Sequence, residues 1–218
     1  MISNFNLLPN ELPIFPLTGA LLLPKTKLPL NIFEPRYLTM LNDVLKKDNR
    51  LIGMIQPLGD PPEGVNHKRK LHQIGCAGRI ISFSETKDGR YLITLEGIIR
   101  FRFIEEIKQN TPYLLGKVNW VDFKKDLEKS NPDNNFNREN FLKLLSKYFE
   151  SAQLSSDWES LKDADEELLI NSLSMLCPFD PDEKQALLEA PELKYRRETL
   201  MTLMEINLRD SHETDFLQ

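Results

Sequence analysis

Leu12-Pro13-Ile14-Phe15-Pro16-Leu17 and, a little further on, Pro29-Leu30-Asn31-Ile32-Phe33-Glu34-Pro35-Arg36-Tyr37 are the stretches from which the fold can be read outward. The apolar runs Leu12–Pro16, Ala20–Leu23 and Leu28–Phe33 are too short for helices. Two of them carry internal proline, which cannot donate to a β ladder. They read as strands suited to sheet edges, bulges or barrel corners. At Glu34 the pattern changes. Pro35 fits the first helical position, where its missing N–H costs no hydrogen bond, and Glu34 takes the N-cap place. Tyr37, Leu38, Leu41, Val44 and Leu45 then recur on one helical face.

Working outward, Arg50–Gln56 and Gly75–Phe83 predict two more strands, whose glycines suggest bulges or close backbone approach. Lys87-Asp88-Gly89-Arg90 predicts a tight hairpin turn, with Asp-Gly supplying positive φ, and Tyr91–Leu95 leaves it as a strand. Gly97 interrupts the path. Ile99-Arg100-Phe101-Arg102-Phe103-Ile104 alternates, so Arg100 and Arg102 should share a face opposite the two phenylalanines. Tyr113–Val121 closes this β-type half.

The second half is helical. Lys124 to Asn137, rich in Lys, Asp and Asn and containing Pro132, has the composition of a linker. The organisation expected is therefore a β domain at 1–123 with one internal helix, a linker at 124–137 and a helical domain at 138–218. Phe141, Leu144, Leu145, Tyr148, Phe149 and Ala152 keep helical rhythm, as do Leu169, Leu173, Leu176 and Cys177, with Asp163 and Glu166 in capping-box spacing before them. Asp180-Pro181-Asp182-Glu183 starts a third helix. Pro191 opens a fourth, on which Leu193, Leu200, Leu203, Met204 and Leu208 form a stripe.

Composition bounds the functional classes. With 40% hydrophobic and 28% charged residues in 218, the chain has a globular balance and should bury a core. No apolar run reaches membrane-span length, and the N-terminus lacks the basic start and cleavage site of a secretory signal, so a cytoplasmic protein is expected. Cys76 and Cys177 form neither a disulfide framework nor a metal-ligand spacing. The net charge of −5 gives no global attraction to nucleic acid. A local basic run, His67-Lys68-Arg69-Lys70, has no interleaved aromatics and reads as solvated loop.

Motifs that carry chemistry are missing. Gly59 and Gly64 have phosphate-loop spacing but are followed by Val65-Asn66 rather than Lys and a hydroxyl residue. The histidines, His67, His72 and His212, are scattered. His72 and Cys76, four apart on an extended segment, would stand roughly 13 Å from each other. Neighbouring acids such as Glu105-Glu106 point apart. No catalytic, cofactor-binding or metal residue is therefore expected. Glu34, Arg36 and Tyr37 admit two readings: a charged pair beside an aromatic could hold a ligand's peptide groups, or it could cap the helix and tie it to the sheet. The second is favoured, which assigns Phe33, Glu34, Pro35, Arg36 and Tyr37 to architecture.

The opening runs, the Asp88-Gly89-Arg90-Tyr91 turn, Glu96-Gly97-Ile98-Ile99-Arg100-Phe101, and Glu183–Leu193 followed by Arg196 or Arg197 and Leu200 together resemble the Lon N-terminal substrate-binding domain. That family occurs on Lon proteases, in cereblon and as free-standing bacterial proteins. The resemblance implies an α+β fold, a PUA-like twisted β pseudo-barrel followed by a C-terminal α-helical bundle. It also implies recognition of unfolded or exposed polypeptide segments, without a cofactor, with a separate protease as a candidate partner. One departure is Lys25-Thr26, where many relatives carry Gly in a tight turn. Another is that the sequence ends at Gln218 without the ATPase and Ser-Lys peptidase domains of Lon, so no enzymatic activity is expected. The alternative is RNA binding, because PUA-like barrels occur in RNA-modifying proteins; Arg79, Arg100 and Arg102 would then join the 67–70 run in a basic face. For polypeptide, an open sheet edge or a groove between the halves is the expected surface.

Overall fold

The structure is a computed structural model that describes residues 5–59, 70–130, 133–134, 136–155 and 157–215. His67, Lys68 and Arg69 of the basic run, the Gly64-Val65-Asn66 stretch, Pro132 and the side chain of His212 lie outside the described residues. The chain forms two compact units, Met1–Lys129 and Ser130–Gln218.

In the first unit, the strands are β1 (Glu11–Pro16), β2 (Lys27–Ile32), β3 (Leu51–Ile55), β4 (Ile74–Glu85), β5 (Tyr91–Ile107) and β6 (Leu114–Asn119), and helix α1 spans Pro35–Leu45. The sheet order is β2-β5-β4-β3-β1-β6, and β6 pairs again with β5. Five strands thus close on themselves while β2 stays outside the ring. β1 and β3 run parallel, through Ile14↔Gly53, and the other pairings are antiparallel. The expected α+β fold is borne out.

Two expectations about strands need correction. Gly97 does not interrupt the path: β5 is a single strand of 17 residues. Its start pairs with β2 and β4, and its end, from Arg102, pairs with β6. Ala20–Leu23 is not a strand. Leu21, Leu22 and Leu23 are buried as irregular chain laid against the sheet. The two corrections have one cause. A side chain at position 97 would collide with the Leu23 carbonyl oxygen, so glycine there admits the Leu23–Thr26 turn to the backbone of β5.

The turn is locked by reciprocal bonds. Lys25 N–H donates to Gly97 O at 2.8 Å, Gly97 N–H donates to Thr26 O at 2.9 Å, and the Thr26 hydroxyl donates to Leu23 O at 2.6 Å. Lys25 stands at φ 65°, the left-handed region where glycine is favoured, so the departure noted at this position keeps the turn geometry at the cost of backbone strain.

The β4–β5 hairpin is also tighter in chemistry than its Asp-Gly signal implied. In the turn only Gly89 has positive φ, at 76°. Gly89 N–H donates to Thr86 O and Thr86 N–H to Arg90 O, the pattern of a type I turn followed by a left-handed glycine. The Thr86 hydroxyl bonds the Asp88 carboxylate and holds its pKa below the usual carboxylate value.

Inside the ring, Leu12, Ile14, Leu51, Ala77, Ile99, Phe101, Val118 and Trp120 form the core. Phe101 meets Trp120 edge-on, with centroids 6.0 Å apart, and Gly75 makes room for it: a Cβ there would lie 2.6 Å from its ring. The alternation of β5 puts Arg100 on the opposite face, where it is buried. Its guanidinium donates to both carboxylate oxygens of Asp126 at 2.9 Å, and its backbone N–H adds a third bond at 3.0 Å. Asp126 sits on a 3-10 segment, Val121–Leu127, whose Phe123 ring lies 4.7 Å beneath the same guanidinium. Lys124–Leu127, polar enough in composition to suggest a linker, therefore packs on the barrel.

The second unit contains α2 (Arg138–Ser151), α3 (Trp158–Asp163), α4 (Glu166–Leu176), α5 (Pro181–Glu189) and α6 (Leu193–Asp215). Phe141, Leu145, Ile170, Leu187, Leu200 and Met204 are fully buried among them. The α4 cap is Asp165 rather than Asp163, which belongs to α3; Asp165 accepts from Glu167 N–H and Leu168 N–H. The helix expected to start at Asp180-Pro181-Asp182-Glu183 does so, and the structure adds a capping box between Asp180 and Glu183. Arg196 and Arg197 are both buried, with separate tasks. Arg196 binds Leu187 O and Asn171, while Arg197 bridges Glu166 and Asp133.

Gly97→Ala should destabilise the first unit by about 1–3 kcal/mol or more, because the displaced atom is backbone rather than a flexible side chain. Lys25→Gly should stabilise it by roughly 1 kcal/mol by relieving left-handed strain. Urea unfolding followed through Trp120 fluorescence in a Trp158→Phe background, which leaves the first unit's tryptophan as the sole reporter, checks both.

Candidate functional site

The residues between the end of β1 and the start of α1 surround a groove of about 300 Å³. Phe15, Pro16 and Leu17 form one wall and Leu30 to Phe33 the other. The chain after β1 stays on the sheet through Leu17, whose N–H donates to Ile55 O at 3.0 Å, while Pro35 starts α1 on the other side of the groove. Tyr37 is buried, its ring 4.3 Å from that of Phe15. Phe33 is 63% exposed at the lip.

Glu34 and Arg36 behave differently from either expectation. Glu34 occupies the N-cap position, but its carboxylate makes no capping bond. The α1 start is held instead by its carbonyl, which accepts from Tyr37 N–H and Leu38 N–H. The carboxylate pairs with Arg36 at 2.7 Å, and the guanidinium lies 4.5 Å over the Tyr37 ring. Both side chains are about half exposed, so the pair rims the groove and ties nothing to the sheet. The five residues thus divide: Pro35 starts α1, Tyr37 is buried at the base of the groove, and Phe33, Glu34 and Arg36 line it from more exposed positions. Nothing in their residue types distinguishes these roles, which depend on what β1 brings alongside.

Outside the ring, β2 and the C-terminal part of β4 each leave one edge without a strand neighbour among the described residues. Backbone alternation tells which groups point outward. Gly97 N–H bonds Thr26 O, so Leu28, Leu30 and Ile32 face β5 and Lys27, Pro29 and Asn31 face outward. Proline removes the middle donor, which blunts this edge. On β4, Thr86 N–H bonds Arg90 O, so Ser84 and Ser82 face β5 while Phe83 and Glu85 face outward. No proline lies here. Beside the start of this edge a shallow basic depression is lined by Lys46, Lys47, Arg50 and Arg79, with Asp48 as its one acid.

The arginines of a basic RNA-binding face are largely committed elsewhere. Arg100 is buried on Asp126, and Arg102 bonds Asp122 at 2.9 Å and Gln73 at 3.2 Å. Arg79 Nε donates to Asn49 O. Among the described residues no group of three or more His, Cys, Asp or Glu is placed to hold a metal. Cys76 is buried, and burial pushes the Cys177 thiol up to about 12, far from a reactive thiolate at neutral pH. Among the described residues no helix is long and apolar enough to cross a membrane.

The first unit thus combines a closed β ring, a groove of mixed lining and open strand edges, and the second unit is helical. The chain belongs to the ATP-dependent protease La (LON) substrate-binding domain family, whose model matches residues 11–205. It is 24% identical over 220 residues to a Lon protease of Syntrophus aciditrophicus, covering 97% of this chain and 26% of that protein. It is 26% identical to Lon protease 2 of Myxococcus xanthus, covering 90% of this chain and 24% of that one. The chain thus spans about a quarter of the length of these relatives. Among solved structures, a Lon N-terminal domain protein from Xanthomonas campestris shares the fold with a TM-score of 0.61 and 23% identity, over 88% of this chain and 97% of that one. The N-terminal domain of the Mycobacterium avium complex Lon protease does so with 0.65 and 14%, over 89% and 98%.

Glu34→Ala and Arg36→Ala should each change stability by no more than about 1 kcal/mol, as for exposed ion pairs, whereas Tyr37→Ala should cost about 3–5 kcal/mol. Denaturant midpoints separate rim from core. A pH effect follows from Tyr113, whose hydroxyl donates to Asp43 at 3.0 Å. Burial first, then the Asp43 bond, raises its pKa from 10.0 to about 12. The folded state then keeps a proton that the unfolded chain loses, so this contribution is full below pH 10.0 and is lost as pH rises toward 12. Thermal melts over that range should fall less steeply for Tyr113→Phe than for the wild type.

Proposed function

We propose that this chain is a substrate-recognition module that binds unfolded or exposed polypeptide segments and performs no chemistry on them. The observation that carries this reading is the groove of about 300 Å³ whose lining mixes apolar side chains such as Phe15, Leu17 and Leu30 with polar ones, with an exposed Phe33 at its lip and the Glu34–Arg36 pair on its rim. The apolar part of such a lining suits a side chain that a folded protein would keep inside. The adjacent carboxylate and guanidinium offer an acceptor and donors to the peptide groups flanking it. The family supports the same reading, since its matched region is the substrate-binding part of Lon. In this reading the protein works in the cytoplasm without a cofactor, as an adaptor or quality-control factor that presents segments to a separate protease.

The purified chain should capture denatured polypeptides in preference to their folded forms and to cellular RNA, and the capture should survive raised salt. Phe33→Asp should weaken polypeptide capture severalfold while leaving the melting temperature near that of the wild type. Salt-sensitive RNA capture without polypeptide capture would overturn the proposal.

A further inference from the structure

The outward edge of β4 and the basic depression at its start lie end to end. Ile80 N–H still bonds Arg50 O, the last contact of β4 with the chain entering β3, and beyond it the strand runs on through Glu85 with no outer neighbour among the described residues. Phe83 and Glu85 direct their N–H and C=O groups outward there, as the parity set by Thr86 requires. An edge of this kind specifies its occupant, because a row of alternating donors and acceptors is satisfied by another extended backbone. The other open edge, on β2, lacks this capacity at Pro29. Native edges are usually protected by proline or lysine, and Ile81-Ser82-Phe83-Ser84 carries neither.

The basic depression adds a direction. Lys46, Lys47, Arg50 and Arg79 line it, a surplus of positive charge over Asp48 in a chain whose net charge is −5. Lys46 reaches Asp43 only at 3.5 Å, and Arg79 uses Nε on Asn49 O. A carboxylate is the group that four such cations would hold, and it would sit where the free part of β4 begins. A strand whose C-terminal end lies at that point runs antiparallel to β4. We infer that an extended polypeptide segment adds to the Ile81–Glu85 edge antiparallel to β4, with a carboxylate at its C-terminal end held by Lys46, Lys47, Arg50 and Arg79. This inference rests on polypeptide recognition as proposed above and names its mode and polarity. The carboxylate is either the main-chain terminus or an acidic side chain at the end of the added strand.

The test uses the purified chain and a labelled peptide of alternating valine and threonine in three forms: the free acid, its C-terminal amide, and the amide bearing glutamate as its last residue. The free acid should bind, and the neutral amide should bind about tenfold more weakly. Binding restored by the terminal glutamate assigns the carboxylate to a side chain as well as to the terminus; binding not restored assigns it to the terminus alone. In the complex, amide hydrogen exchange at Phe83 and Glu85 should slow, while Ser82 and Ser84, already bonded to β5, should stay unchanged. Lys47→Glu combined with Arg50→Glu, both exposed, should remove the preference for the acid. Peptide binding without slowed exchange at Phe83 and Glu85 overturns strand addition and leaves polypeptide recognition intact. Equal affinity for acid and neutral amide overturns the carboxylate site. Failure to bind these peptides and denatured polypeptides alike overturns both readings.

Discussion

The length of β5 governs the first unit. Seventeen residues of one strand serve three neighbours, β2 and β4 at its beginning and β6 at its end. The β6 pairing closes the ring, so that β1, β3, β4, β5 and β6 leave no edges within it. A strand too long for the ring must project beyond it. The projecting part carries β2 on one side and the end of β4 on the other, and these supply the two open edges. Closure and exposure are therefore consequences of the same strand, and Gly97 marks the place where the two regions meet and a second segment of chain packs onto the backbone.

Burying Arg100 on the outer face of β5 would be costly without a partner, since an uncompensated buried charge destabilises by about 3–5 kcal/mol. Asp126 supplies the partner through two side-chain bonds and one to the backbone, and Phe123 covers the guanidinium. The 3-10 segment after β6 is held to the barrel by this arrangement. The second unit uses the same device twice. Arg197 joins α6 to Glu166 and to Asp133, and Arg196 satisfies a carbonyl at the end of α5 together with Asn171. In both units, guanidinium groups fasten segments whose apolar residues alone would not fix their position.

The stretch Phe33–Tyr37 joins architecture to a surface. Tyr37 is packed under Phe15, which fixes the start of α1, and that placement leaves Phe33 and the Glu34–Arg36 pair at the groove. Adjacent positions in this stretch thus have different surroundings, one buried and the others exposed.

Much of the fold was legible because local chemistry is strong where it was read: Pro35 starting α1, Asp180 and Pro181 starting α5, alternation placing Phe101 inside and Arg100 outside. The family could also be read, since its motifs run through both halves of the chain. The candidate groove was half legible, with its residues quoted but assigned to structure, because exposure of Phe33 depends on what β1 brings beside it. Ala20–Leu23 is apolar enough for a strand and became buried irregular chain, since the glycine that receives it lies more than seventy residues away. Lys124–Leu127 is polar enough for a linker and became part of the barrel, because Asp126 meets Arg100 only after β5 and β6 have paired. The open edges were foreseen in kind but not in place. Local sequence determines which conformation a segment prefers and which face it would bury; long-range strand pairing decides which faces and edges remain free, because a backbone hydrogen bond is satisfied or left open by a partner far away in the chain.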